Sequence, residues 1–301
     1  MKSTQNLTRR RAVLLMIAVT LMWSIAGAVT KQLETARSFE ITFWRSFFTV
    51  IALSIILRLW RGAGVFAKFD YKLPSFWVSS VCWATMFTAF VAALTLTTVG
   101  NVLVMMAVGP LITALVARVF IGHKLPLRTW GAILVATFGI GYMFYQQMDL
   151  SQSGGVSAHA LGMLVAFIVP MAAAIHWTVV QRAHAINQLR DFVPCILLGA
   201  LISAAIALPL AWPFAATGRD VAWLGLLGTV QLAIPCTLAV VCSRALKAPE
   251  VSLLALLEVI FGIAWAWIFA NEAPTQAVLI GGTLVIAALA ANECLGWKDS
   301  A

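Results

Sequence analysis

Asn101–Pro126 reads NVLVMMAVGPLITALVARVFIGHKLP. It carries no charge from Asn101 to Ala117, holds Pro110 near its centre, and closes on the basic turn Gly122-His123-Lys124-Leu125-Pro126. Length and composition predict a helix able to cross the hydrocarbon of a bilayer, which takes about 20 apolar residues. The pattern returns at Glu250–Pro274, EVSLLALLEVIFGIAWAWIFANEAP. There Glu258-Val259 stands in the place of Gly109-Pro110, and Asn271-Glu272-Ala273-Pro274 echoes the turn. Two such stretches, one in each half of the chain, predict an internal duplication.

The whole composition agrees with a lipid environment. Of 301 residues, 62% are hydrophobic and 10% charged, against about 45–50% and about 25% in an ordinary soluble domain. Too little charge is left to cover a soluble surface. The net charge of +9 reads as the loop bias of a membrane protein, not as a nucleic-acid platform, because the basic residues are spread over several segments. Cys82, Cys195, Cys236, Cys242 and Cys294 all fall in apolar runs without metal-ligand spacing, so no metal and no cofactor are expected. Arg9-Arg10-Arg11 followed by an apolar run resembles a signal peptide. The run continues to Thr30, too long for a signal core, and predicts a retained first span.

Ten spans can be drawn, at 12–30, 40–58, 75–96, 100–121, 129–146, 160–181, 192–212, 221–243, 250–271 and 275–295. All are expected to be helices, since a lipid-facing backbone must satisfy its own hydrogen bonds. The uncharged region Leu73–Ala117 is split at Thr97–Asn101, where polar and turn residues cluster. With the N-terminus inside, the inner segments hold 16 Lys and Arg, and the outer ones hold four: Lys31, Arg37, Arg45 and Arg219. This asymmetry predicts a multi-pass protein of a bacterial inner membrane with both termini cytoplasmic.

Five spans per half reverse the starting side of the second half. The expected fold is therefore an all-α integral membrane protein of two inverted five-helix repeats, 1–149 and 150–301. Inverted repeats are an architecture of secondary transporters, with the substrate site near the midplane. The Ser/Gly-rich part of Gln147–His159 reads as the linker between halves.

The ordered set of residues is similar to the EamA family of the drug/metabolite transporter superfamily. The likeness rests on Trp23-Ser24, Lys31, Arg45 and Ala93-Leu94, then on Pro110–Leu115 and Gly122-His123. In the second half it rests on Ser243–Leu246, Glu258-Val259 and Asn271-Glu272. It spans nearly the whole chain. Gly122-His123 stands where the family has Gly-Glu, and Glu258-Val259 where it has Glu-Pro, which weakens any shared role for turn glutamates. The resemblance implies transport of amino acids, nucleobases, other small metabolites or drugs.

Glu258 lies inside an apolar span, where a carboxylate costs about 2.5–3.5 kcal/mol to insert. It could carry a proton near neutral pH or face a substrate amine; a hydrogen-bonded packing role is the alternative. His176, followed by Trp177 in the sixth span, could relay protons or simply bond between helices. Arg45 could bind a substrate carboxylate or snorkel to headgroups, and Lys31 shares that ambiguity. Gln231 and Asn101 are neutral groups able to line a pocket or join helices. Trp23 and Ser24 sit mid-span, unlike the interfacial tryptophans, and could form a pocket wall. Pro110, Pro170 and Pro235 lie within spans and bend them. The central-cavity candidates are thus Trp23, Ser24, Arg45, Asn101, Pro110, His176, Trp177, Gln231 and Glu258, with Glu258 and His176 as proton-coupling groups.

No HExxH, GxSxG, phosphate loop or paired-aspartate motif argues for an enzyme. The expected function is secondary transport of small organic metabolites such as amino acids by alternating access. Export is the favoured direction, with proton coupling a further option. The alternatives are an uptake permease for a nucleobase or other metabolite and, from another class, a membrane-embedded enzyme or sensor. The expected partners are the lipid bilayer, a small-molecule substrate and protons, in a monomer or homodimer, with no nucleic acid.

Overall fold

The computed structural model describes residues 7–30, 32–62, 64–66, 69–96, 102, 105–122, 125–145, 156–186, 191–270 and 276–298. Asn101, Lys31, His123-Lys124, Asn271–Pro274 and the linker up to 155 lie outside the described residues. Among the described residues there is no strand. The helices are α1 (Arg9–Trp23), α2 (Ile25–Thr30), α3 (Ser38–Arg61), α4 (Pro74–Leu96), α5 (Gly109–Ile121), α6 (Leu127–Tyr145) and α7 (Val156–Ala185). They continue as α8 (Val193–Ala211), α9 (Gly218–Leu226), a π-helical segment (Leu227–Ala233), α10 (Ile234–Cys242), α11 (Ala248–Ala255), α12 (Leu257–Ala270) and α13 (Gln276–Lys298).

Helix occupies each of the ten windows read from the sequence. Among the described residues, five stretches are long and apolar enough to cross a membrane: Phe39–Arg61, Pro74–Ala93, Leu161–Ala185, Val193–Ala211 and Gly218–Cys242. Met105–Ile121 and Leu279–Asn292 are shorter apolar helices. Large apolar side chains face outward, with Val119 76% and Phe138 68% exposed. A large exposed apolar surface of this kind suits lipid and not water.

Close approach and polar contacts hold the helices together, since lipid tails weaken any hydrophobic drive between them. Gly199 of α8 lies so near α4 that a Cβ there would stand 2.4 Å from Trp83 Cβ. Gly228 of the π-helical segment faces α3, where a Cβ would stand 2.6 Å from the Arg45 carbonyl oxygen. The Ser203 hydroxyl joins three helices, lying 3.1 Å from Ser46 Oγ of α3 and 2.9 Å from Thr88 Oγ1 of α4. Farther along the bundle, Thr129 donates to Asn292 Oδ1 at 3.0 Å and so ties α6 to α13.

The two ends of α3 mark two polar clusters. Near its start, the Glu40 carboxylate accepts from the backbone N–H groups of Ala215 and Ala216. Beside it the buried Asp220 carboxylate accepts from the N–H groups of Glu34, Thr35 and Ala36 and from the Thr35 hydroxyl. These bonds fasten the α2–α3 connection to the α8–α9 connection. At the other end of α3, Arg61 pairs with Asp191, which also lies 3.9 Å from Arg244. Arg9 pairs there with Glu250 at 3.2 Å. Partial burial lowers the pKa of Arg244 from its ordinary value, because removal from water disfavours the charged form.

Candidate solute cavity

Four chain segments lose regular α geometry beside residues that line one cavity. α1 stops at Trp23 and α2 resumes at Ile25. α5 begins at Gly109, with Pro110 in its first turn, where a missing N–H costs no helical bond. The span of α9 and α10 is interrupted by the π-helical turn that holds Gln231. α11 ends at Ala255 and α12 starts at Leu257, which places Glu258 in a first helical turn. Such interruptions are tolerated inside a membrane where they line a cavity, and π-turns gather at functional sites.

A cavity of about 180 Å³ lies at these breaks. Trp23, Trp83, Phe87 and Trp177 supply aromatic walls, and Arg45, Gln231 and Glu258 supply polar groups. A cavity near 150 Å³ already holds a benzene-sized guest, so a flat organic ring fits. Gly109, Pro170 and Ser252 meet on the wall. A Cβ at Gly109 would stand 3.5 Å from Pro170 Cβ and 3.6 Å from Ser252 Oγ.

The polar groups are joined in one direction. Arg45 Nη2 donates to Gln231 Oε1 at 3.0 Å, and Gln231 Nε2 donates to the Trp23 carbonyl at 3.4 Å. That carbonyl sits at the last position of α1, where helical partners run out. Arg45 and Glu258 attract one another electrostatically, yet no hydrogen bond joins them among the described residues. Low dielectric makes such an attraction stronger than in water.

Five of the residues expected from the sequence therefore meet on the cavity wall: Trp23, Arg45, Trp177, Gln231 and Glu258. Arg45 is buried here, not extended toward headgroups. Ser24 stands beside the wall, where its hydroxyl accepts from Trp265 Nε1 at 2.9 Å and donates to the Leu21 carbonyl. Pro110 is buried one residue from the lining Gly109. His176 lies behind the wall. It is fully buried, its Nδ1 is 2.9 Å from Ser79 Oγ, and its ring meets the edges of Trp83 and Trp177.

Trp83, Gly109 and Ser252 line the cavity without having been singled out. Trp83 was open to the argument that marked Trp23, since it too lies well inside a span. Gly109 and Ser252 carry no local signal of a wall position. They become neighbours only when α5 packs against α11.

Apolar helices packed around an internal cavity with a buried arginine and a glutamate define a multi-pass membrane protein with a solute-sized site. Residues 10–145 match the model of the EamA-like transporter family, within the drug/metabolite transporter superfamily, so this part of the chain is similar to membrane transporters of that kind. A solved crystal structure is similar to the chain with a TM-score of 0.79 at 16% identity, over 98% of this chain and 100% of the other. At that identity the likeness shows the fold. No curated protein matches the chain.

Proposed function

We propose that the protein is a secondary carrier that exports small organic metabolites such as amino acids by alternating access. In this reading the solute passes through the cavity between Arg45 and Glu258, and Glu258 exchanges a proton for it. The single observation behind the reading is the meeting of two opposite charges and an aromatic wall at the breaks of four spans. A charge inside a span is costly, and a carrier that binds a polar solute away from water gives that cost a use. Export follows from the chemistry at Glu258: a solute ammonium and a proton compete for one carboxylate, so inward movement of protons drives the solute out.

The halves 1–149 and 150–301 form the two inverted repeats of this carrier, with both termini in the cytoplasm of a bacterial cell. Support comes from the interruptions at Val108 and Leu256, which fall at the paired stretches quoted above. Broken helices facing a midplane site are a feature of carriers built this way. The cluster of Arg9, Arg61, Asp191, Arg244 and Glu250 then lies at the cytoplasmic end.

The experiment is solute counterflow in proteoliposomes loaded with an unlabelled amino-acid mixture and exposed to the same mixture in labelled form. Exchange above that of protein-free liposomes supports the reading. An absence of exchange for amino acids, nucleobases and organic acids alike would remove it.

A further inference from the structure

Arg45, on the cavity wall, carries a donor that its surroundings leave unused. Arg45 is 8% exposed and lines the cavity. Its hydrogen-bond partner among the described residues is Gln231, through Nη2. Nε is buried and has no partner among the described residues. A guanidinium offers five N–H donors in a rigid planar fork whose shape matches a carboxylate. A buried donor left without an acceptor is costly. Glu258 does not fill the role, since it attracts Arg45 without bonding to it.

Resting on the transport reading, we propose that the solutes carry a carboxylate, which docks on the Arg45 fork, and a flat apolar body, which lies against Trp23, Trp83 and Trp177. Gln231 is then a positioning residue. It holds Nη2 from the π-helical turn and so fixes the plane of the guanidinium. Charge accounting sets the role of Glu258. Arg45 and Glu258 cancel in the empty cavity, and a bound carboxylate adds one negative charge. Either an ammonium of the same solute faces Glu258 and displaces its proton, as in the exchange above, or Glu258 keeps its proton and the acid binds without exchanging one. Amino acids and simple aromatic acids both satisfy the accounting. Amines without a carboxylate leave the arginine unmatched, and neutral amides offer it one weak acceptor.

The test uses the purified full-length protein in detergent, with binding followed by quenching of the wall tryptophans. The probes are 3-phenylpropionate, 3-phenylpropionamide, phenethylamine and phenylalanine. The two carboxylates are expected to bind at least tenfold more tightly than the amide and the amine. Arg45→Lys keeps the charge and loses the fork, and is expected to shrink that preference severalfold. The wild-type comparison stands even if Arg45→Lys fails to fold. Equal binding of amide and carboxylate, tighter binding of the amine, or no binding of any probe at millimolar concentration overturns the proposal. The same probes in proteoliposomes separate the two readings. Selective binding of carboxylates without exchange leaves the docking site standing and removes transport; equally fast exchange of solutes lacking a carboxylate does the reverse.

Discussion

Arg45 of α3 donates to Gln231 of the π-helical turn at 3.0 Å, inside the apolar bundle. The bond ties a charged side chain of one half of the chain to the one place where the span of α9 and α10 leaves α geometry. The π-helical segment carries Gln231 on the cavity wall, and Gly228 in the same segment lets α3 approach.

Replacing Gln231 by leucine should therefore destabilise the protein by about 1–3 kcal/mol, the range for leaving a buried polar group unpaired. Thermal unfolding of the purified variant measures this. Gln231→Asn, with a shorter reach, should fall between the variant and wild type.

Gly199→Ala should lower the yield of folded protein sharply. Its new methyl would lie 2.4 Å from Trp83 Cβ and 2.8 Å from the Ser80 carbonyl oxygen, and overpacking of this kind costs about 1–3 kcal/mol. Because Trp83 also lines the cavity, any folded fraction should bind solute more weakly. Size-exclusion chromatography and tryptophan quenching check the two effects separately.

Asp220→Ala should loosen the end of the bundle where α3 begins. The carboxylate satisfies three consecutive backbone N–H groups and the Thr35 hydroxyl, and its loss leaves them without an acceptor. Faster hydrogen exchange at Glu34, Thr35 and Ala36, with little change near Arg61, is the expected pattern.

His176→Gln should leave the pH dependence of transport in place. The imidazole is bonded to Ser79 and packed behind Trp83 and Trp177, out of the cavity. A flux profile across pH 5.5 to 8.5 (an experimental range of about three units around a histidine's ordinary pKa) distinguishes this from a relay, whose loss would flatten the profile.

The helices were legible because apolar windows near bilayer length are set by local composition; the polar break expected at Thr97–Asn101 lies outside the described residues. Glu258 and Arg45 were legible because a charge inside such a window is rare in itself. The shape of the wall was not. Trp83 reads alike in sequence with tryptophans that face lipid, while Trp177 was marked by its place beside His176, and the packing of α4 against α7 brings both to one cavity. The π-helical turn ends just before Pro235, the proline that marks this span in sequence, but which residues leave α geometry, and so where Gln231 sits, is not written there. His176 shows the converse: a titratable residue deep in a span draws attention in sequence, while its neighbours in space are an interhelical hydroxyl and two indole edges.

The most direct test of the account is solute-driven proton movement in proteoliposomes, read by an internal pH-sensitive dye, for wild type and Glu258→Gln. The mixture of amino acids serves as the probe. The account predicts that wild type couples amino-acid flux to proton flux, and that Glu258→Gln inserts and folds normally but shows no pH-dependent transport. Undiminished proton-coupled flux in that variant would contradict it.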